Sequence, residues 1–365
     1  MVTRYRGAWL WFHRWVGIVL GAAVVLIGVT GSLLVFEKEI DAALNPTLMR
    51  VTPAGDLNSF DAIVAAAAAA HPGATPLFFQ RFGDAPDASF MVVVRNAGGA
   101  ETQVFVDPYT LAVLGERSGA SAFGLIRNLH ANLNLGPVGG HIVGGLSILL
   151  VLFFVAGVVL WWPAKGGWGR ALTISGGAPP RLLRELHNVF GAWLAVFFML
   201  AAITVPVLVW MFTSPAGQSG GQGGGAGPPR RAAEAPDAAP REPISWQTAA
   251  EIGRRAAPGQ YVGFILRNPP PRAMYMVRLW PPGAEPRTDN MTNVFVEPVS
   301  GRVLRTQTPT AVSARSLLQT DFNATIHSGA IAGLPGRMIM FVAGLGVPVL
   351  FVTGVAMWWL KRRRT

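Results

Sequence analysis

Four stretches of the chain, Val16–Phe36, Val138–Trp162, Val189–Phe212 and Met338–Leu360, contain no Lys, Arg, Asp or Glu. Each is long enough, as a helix, to cross roughly 30 Å of hydrocarbon. A backbone in lipid must satisfy its own hydrogen bonds, so such segments are helices unless they close into a barrel. They predict four transmembrane helices and a membrane α-helical fold class. With 51% hydrophobic and 13% charged residues over 365 positions, the chain is too apolar for an ordinary soluble domain.

The formal charge of +11 is informative through its placement. Residues 1–14, the loop 163–186 and the tail after Leu360 carry eleven basic residues and a single acid, Glu185, while the two long connections are nearly balanced. By the positive-inside rule both termini and the short loop face the cytoplasm, and the long connections face the other side. The expected location is a membrane crossed several times, with both termini on its cytoplasmic side. The basic residues flank membrane helices and form no surface interleaved with aromatics, so no nucleic-acid partner is expected; membrane lipids are. The first apolar block exceeds a signal-peptide core, and Phe36-Glu37-Lys38-Glu39 is a poor cleavage site, so the segment is expected to stay attached. With no cysteine, thiolate-held iron–sulfur clusters and covalently attached haem are excluded.

The chain matches itself without gaps. Residues 130–162 laid on 327–359 align His130 with His327, Gly136 with Gly333, Gly139 with Gly336, Gly157 with Gly354 and Trp161-Trp162 with Trp358-Trp359. A second alignment pairs His13 with His187, Gly17 with Gly191, Thr30 with Thr204 and Leu34 with Leu208. The expected architecture is therefore two parallel repeats, each a helix, an extracytoplasmic insert and a helix, related by an axis along the membrane normal. The segments are a helix at 9–36, a first insert at 37–136 ending in a membrane-surface helix, a helix at 137–162, a loop at 163–186 and a helix at 187–212. There follow a Gly/Pro-rich tether at 213–243, a second insert at 244–335 and a helix at 336–360.

Each insert reads as a helix followed by strands. Phe60–Ala70 is helical and Pro76–Phe82, Phe90–Arg95 and Thr102–Val106 are strand-like; Thr248–Ala257 is followed by Tyr261–Leu266, Ala273–Leu279 and Asn293–Val296. Asp107-Pro108 and Glu297-Pro298 end matching strands in turn chemistry, which predicts two small α+β lobes. The tether buries too little apolar surface to offset its ordering entropy. Deleting Gly217–Gly227 should leave cofactor content unchanged, as measured by absorbance per chain; loss of all cofactor would refute this.

Ionisable groups beside apolar helices are costly and mark function, and here two histidine pairs fall in register. His13 with His187 at the cytoplasmic end, and His130 with His327 at the outer end, are candidate axial ligands of haem iron. Gly17 and Gly191, one turn beyond their histidines, leave room for a flat macrocycle or for helix packing. Ala122–Leu133 and Ala314–Ile326 read as surface helices that turn His130 and His327 into the bundle. His141, inside the second helix, could replace His130 as outer ligand, bind substrate or bind an additional cofactor, and Arg337 is a candidate partner for a haem propionate or a lipid phosphate. His71, before Pro72-Gly73, reads as structural.

Phe12-His13-Arg14-Trp15-Val16-Gly17, Leu129-His130 with Gly136 and Gly139, Leu186-His187 with Gly191, and His327 with Gly333-Leu334-Pro335-Gly336-Arg337 resemble the PepSY-associated transmembrane family. The inserts ending in Phe105-Val106-Asp107-Pro108 and Phe295-Val296-Glu297-Pro298 look like its PepSY lobes. The resemblance covers nearly all of the chain except the tether. It implies a bacterial inner-membrane oxidoreductase of the ferric-siderophore reductase type, with two noncovalent, bis-histidine haem b groups passing electrons to a ferric siderophore or another periplasmic acceptor. The donor would be quinol or a cytoplasmic flavin/NAD(P)H reductase, since the chain lacks the flavin reductase fused to some relatives. The alternatives are a non-enzymatic PepSY scaffold or sensor, a quinol-linked conduit with another acceptor, and a transporter.

Overall fold

The computed structural model describes residues 5–118, 121–163, 166–213, 242–268, 273–287, 289–309 and 320–363. The tether lies, from 214 to 241, outside the described residues. From the N-terminus the chain runs α1 (Arg6–Val35), α2 (Glu37–Leu44), α3 (Pro46–Met49) and α4 (Phe60–Ala69). Next come β1 (Thr75–Arg81), β2 (Phe90–Arg95), β3 (Glu101–Val106), β4 (Val113–Ser118), α5 (Ala122–Asn132), α6 (Gly136–Trp161), α7 (Trp168–Ala171) and α8 (Pro179–Thr213). The second half holds α9 (Trp246–Ala256), β5 (Tyr261–Asn268), β6 (Met274–Trp280), β7 (Thr292–Val296), β8 (Val303–Gln307), α10 (Thr320–His327) and α11 (Gly333–Arg362). The elements divide into a helical unit and a sheet unit.

In the helical unit α1, α6, α8 and α11 are long and apolar enough to cross a membrane, and the chain is a multi-pass membrane protein. They close a ring in which α1 and α8 each pack against both α6 and α11. Their outward faces are apolar, with Val19, Ile148, Val196 and Val352 each more than half exposed, a surface suited to lipid. Lipid gives no hydrophobic drive between helices, so small residues and hydrogen bonds hold them. Ser32 Oγ donates to the Phe341 carbonyl at 2.8 Å. A Cβ on Gly344 would overlap that hydroxyl and the Gly28 carbonyl, so α1 and α11 approach backbone to backbone.

One helix start and one grouping depart most from the sequence expectation. α8 begins at Pro179 rather than 187, because its first turns are polar and escape a charge-free criterion. Arg181 and Glu185 pair there at 2.8 Å, and Glu185 also accepts from the Ser175 and Gly176 amides. α5 and α10, assigned above to the inserts, group with the helical unit.

In the sheet unit the inserts do not make separate sheets. All eight strands form one antiparallel sheet of order β4-β3-β2-β1-β5-β6-β7-β8. The join is β1 on β5, with Phe78 opposite Leu266 and Gln80 opposite Phe264. One face carries α4 and α9 over a core that includes Phe60, Ile63, Phe79, Val92, Ile265 and Val277. On the opposite face Met49 of α3 packs with Leu77, Met91, Val93 and Phe105. β4 and β8 escaped the sequence reading because they are edge strands with partly exposed, mixed polar residues and no apolar run. The Asp107 and Glu297 turns form as expected: Asp107 Oδ1 accepts from the Tyr109 amide at 2.8 Å, and Glu297 Oε2 accepts from the Val299 and Ser300 amides.

The first turns of α4 and α9 satisfy each other's backbone donors. Asp61 Oδ1 accepts from the Trp246 amide at 2.8 Å, and Gln247 Oε1 accepts from the Phe60 amide at 3.1 Å. Helix N-termini leave such donors without intrahelical partners, so the exchange ties the two inserts together. Asp61→Ala should destabilise this junction by about 1–2 kcal/mol, while Asp61→Asn should retain most of it. Hydrogen exchange at Trp246 and Gln247 is the readout, and unchanged protection in Asp61→Ala would contradict the assignment.

Candidate functional site

The helical unit brings the four registered histidines together as two pairs. His13 of α1 and His187 of α8 have ring centroids 6.2 Å apart, with planes at 85°. His130, in the last turn of α5, and His327, the last residue of α10, have centroids 6.0 Å apart at 59°. All four are part-buried.

Every imidazole is held through Nδ1 by a backbone carbonyl. His13 meets Phe153 O at 3.3 Å, His187 meets Leu350 O at 3.1 Å, His130 meets Ile27 O at 2.8 Å and His327 meets Ala201 O at 3.2 Å. A carbonyl only accepts, so Nδ1 carries the proton and Nε2 keeps its lone pair. Threonines add second contacts: Thr353 Oγ1 to His187 at 3.0 Å, Thr204 Oγ1 to His327 at 2.9 Å and Thr30 Oγ1 to His130 at 3.5 Å. Burial lowers the pKa of His130 and of His327, the latter lowered further by its partner, so this pair is neutral at pH 7. Neutral, tautomer-fixed imidazoles with Nε2 in reserve are metal-ligand chemistry.

The carbonyls that hold His130 and His327 lie fourteen residues beyond His13 and His187 on the same two helices, α1 and α8. At 1.5 Å per residue the pairs are separated by about 21 Å of helical rise. Glycines make room for three of the four rings. A Cβ on Gly157 would come within 3.1 Å of His13 Cε1, one on Gly354 within 3.3 Å of His187 Cε1, and one on Gly31 within 2.7 Å of His130 Cε1.

Backbone geometry aims the second pair. Between α5 and α6, Leu133 and Asn134 take φ of 52° and 59°, in the left-handed region that non-glycine residues seldom occupy. A Cβ on Gly139 would overlap the Asn132 carbonyl, and one on Gly336 would overlap the Gly329 carbonyl. These matched glycines let a short helix fold back onto the start of a spanning helix, with its terminal histidine in the bundle.

Around the first pair lies a cavity of about 950 Å³, lined by residues of α1, α6, α8 and α11. The rings of Phe153 and His13 stack at 4.3 Å. Gly17 does not face empty space: a Cβ there would come within 3.3 Å of the Phe153 ring, and one on Gly191 within 3.8 Å of Leu350.

The remaining candidates are not brought to the pairs. His141 is exposed on α6, on an outward stripe with Val138, Ile142, Ile148 and Leu152. Arg337 is buried, donates to the Val35 carbonyl at 2.7 Å and stacks over Phe36 at 4.6 Å, which places a cation at the C-terminal end of α1. His71 belongs to the sheet unit, 3.0 Å from the Glu116 carboxylate. Residue type alone gives Thr30, Thr204, Thr353, Gly31, Gly157 and Gly354 no evident role before their contacts are seen. The alignment did carry a signal for four of them, since Thr30 matches Thr204 and Gly157 matches Gly354.

Comparison with known proteins gives a family. The family model described as PepSY-associated TM region matches residues 10–361. No curated protein matches the chain. A crystal structure of a protein assigned as a lipoprotein from Clostridium difficile 630 is 10% identical, covering 69% of this chain and 95% of that one, with a TM-score of 0.29.

Proposed function

The chain belongs to the PepSY-associated TM region family, and on that footing we propose that it carries electrons across a bacterial inner membrane through two noncovalent haem b groups. His13 and His187 would hold one haem and His130 and His327 the other, each through imidazole Nε2. The acceptor is extracytoplasmic, foremost a ferric siderophore that is reduced to release ferrous iron. In this reading the four helices are two parallel repeats with both termini cytoplasmic and both inserts extracytoplasmic.

The observation that carries the reading is the geometry of the two imidazole pairs. An iron between two imidazole nitrogens, with bonds of about 2 Å, needs ring centroids roughly 6 Å apart. The separations are 6.2 and 6.0 Å. No group of three or more His, Asp or Glu among the described residues is placed to hold a bare metal ion. Two imidazoles therefore suit an iron whose other ligands come with it, as in haem. The duplication is supported by the same contacts, since the carbonyls of Phe153 and Leu350, and of Ile27 and Ala201, occupy matched positions.

Haem bound at these pairs would supply one-electron redox chemistry, and the chain's own residues adapt the sites to it. Bis-histidine ligation fills both axial positions, which favours electron transfer over oxygen binding. The Nδ1 anchors fix ring orientation and make each ligand more basic. Two sites about 21 Å apart along the helices divide the crossing into steps. Quinol or a cytoplasmic flavin/NAD(P)H reductase supplies the electrons, and lipids surround the bundle. His141 and Arg337 stand as lesser candidates toward an acceptor or another cofactor group.

The test is anaerobic reoxidation of pre-reduced protein. Addition of a ferric siderophore should reoxidise the haem bands, with ferrous iron appearing in a chelator trap. A panel of ferric siderophores that leaves the reduced spectrum unchanged, while a quinone reoxidises it, would remove the siderophore-reductase reading and keep the electron conduit.

A further inference from the structure

The cavity at His13 and His187 has an apolar interior and a basic rim. Arg14, Arg184, Lys361 and Arg362 line it, together with the aromatic and aliphatic side chains of four helices, and no Asp or Glu does. Positive-inside topology accounts for cations at this end of the helices, but not for several of them opening onto one cavity.

Two of the four stand out. Arg14 directly follows His13, and Arg184 lies three residues, about one helical turn, before His187. Among the described residues neither guanidinium makes a hydrogen bond or an ion pair; the Lys361 ammonium makes none either, but it is a point charge without the planar fork of a guanidinium. Glu185 is taken up by Arg181 and two amides, and Arg362 stacks over Trp358 at 5.4 Å. Two unpaired guanidinium groups beside an imidazole pair call for two carboxylates on a largely apolar body.

We propose that Arg14 and Arg184 bind the two propionate carboxylates of the haem held by His13 and His187, so that its charged edge faces the end of the bundle bearing the chain termini. The proposal rests on the haem reading above and goes beyond it by orienting the group and naming its anion contacts. Arg337, the sequence candidate for a haem propionate at the start of the fourth helix, does not line this cavity and contacts Val35 and Phe36. Nearby cations also favour the ferrous state over the ferric one, so the same arginines raise the potential of this centre.

The experiment compares haem with its dimethyl ester, which has the same ring and iron but no carboxylates. Both are titrated into full-length apo-protein carrying His327→Ala, so that only the His13/His187 centre is read by absorbance. Haem should bind on the order of tenfold to hundredfold more tightly than the ester. R14Q/R184Q should weaken haem to the level of the ester, leave the ester unchanged and lower the midpoint potential, while R14K/R184K should keep most of the preference. Equal affinity for haem and ester before the arginines are changed overturns the proposal and leaves the haem reading standing, as does an R14Q/R184Q chain that keeps the preference. Equal weakening of both ligands by R14Q/R184Q overturns it in favour of a structural role. Absence of any saturable binding, in this chain and in the unsubstituted protein, is the separate result that removes the haem reading itself.

Discussion

His187→Ala should halve the haem content of the purified protein, from two groups per chain to about one. The substitution removes one axial ligand of one centre and leaves its partner, His13, facing an iron it cannot hold in six-coordinate form. The second centre should persist, because His130 and His327 take their Nδ1 anchors from Ile27 and Ala201 rather than from the region around His187. The spectrum should lose one of two bis-histidine components, and His13→Ala should give the same loss. A pyridine haemochrome assay measures the ratio. Unchanged content in both variants would sink the assignment of that pair, and loss of both haems in each would deny the centres their independence.

Gly336→Val should be as damaging to the other centre without touching a ligand. A Cβ at Gly336 overlaps the Gly329 carbonyl, and Gly329 itself sits at φ of 76°. The turn between α10 and α11 is therefore closed backbone against backbone, where no flexible side chain can yield. Overpacking of that kind costs about 1–3 kcal/mol or more, and the strain is relieved only by opening the turn that carries His327. Because axial ligation tolerates little displacement, the His130/His327 haem should be lost, or bound with a high-spin spectrum, while the His13/His187 haem stays. Gly145→Val is the control: Gly145 is exposed on α6, a Cβ there would meet nothing within 4 Å, and the variant should keep both haems. Equal haem content in the two variants would show that the turn does not position His327.

These two variants probe features of unequal legibility. The four spanning helices can be read from charge-free runs alone, because lipid imposes a length and forbids unpaired charge. The start of α8 cannot, since its polar first turns extend the helix beyond the apolar block and are held by Glu185 contacts that have no periodic signature. Six of the eight strands were visible as short β-rich runs, whereas β4 and β8 are edges whose partly exposed residues look like loop. The pairing of β1 with β5 was invisible for another reason: a strand's residues report which face is buried, not which neighbour lies beside it.

In the candidate site the histidines were legible because the chain carries each one twice. Their anchors are main-chain carbonyls, which any residue supplies, so Phe153, Leu350, Ile27 and Ala201 could not be singled out from side-chain chemistry. Thr30 and Thr204 were visible as a match but had no assigned purpose until their hydroxyls were seen at His130 and His327. Gly17 and Gly191 mislead in the same way, as small residues suit both a cofactor and a helix contact; Gly17 lies against Phe153. His141 illustrates the converse, since an ionisable residue within an apolar block draws attention although its ring sits on the outward face of α6.

The most direct test of the central claim is the reduced-minus-oxidised absorption spectrum of the purified full-length protein, taken with the haem-to-chain ratio. The account predicts the sharp bands of low-spin, bis-histidine b-type haem and a ratio of two. Protein that folds and stays monodisperse in detergent, is supplied with haem during expression, and still shows no haem bands would contradict it, leaving the two imidazole pairs without the cofactor proposed for them.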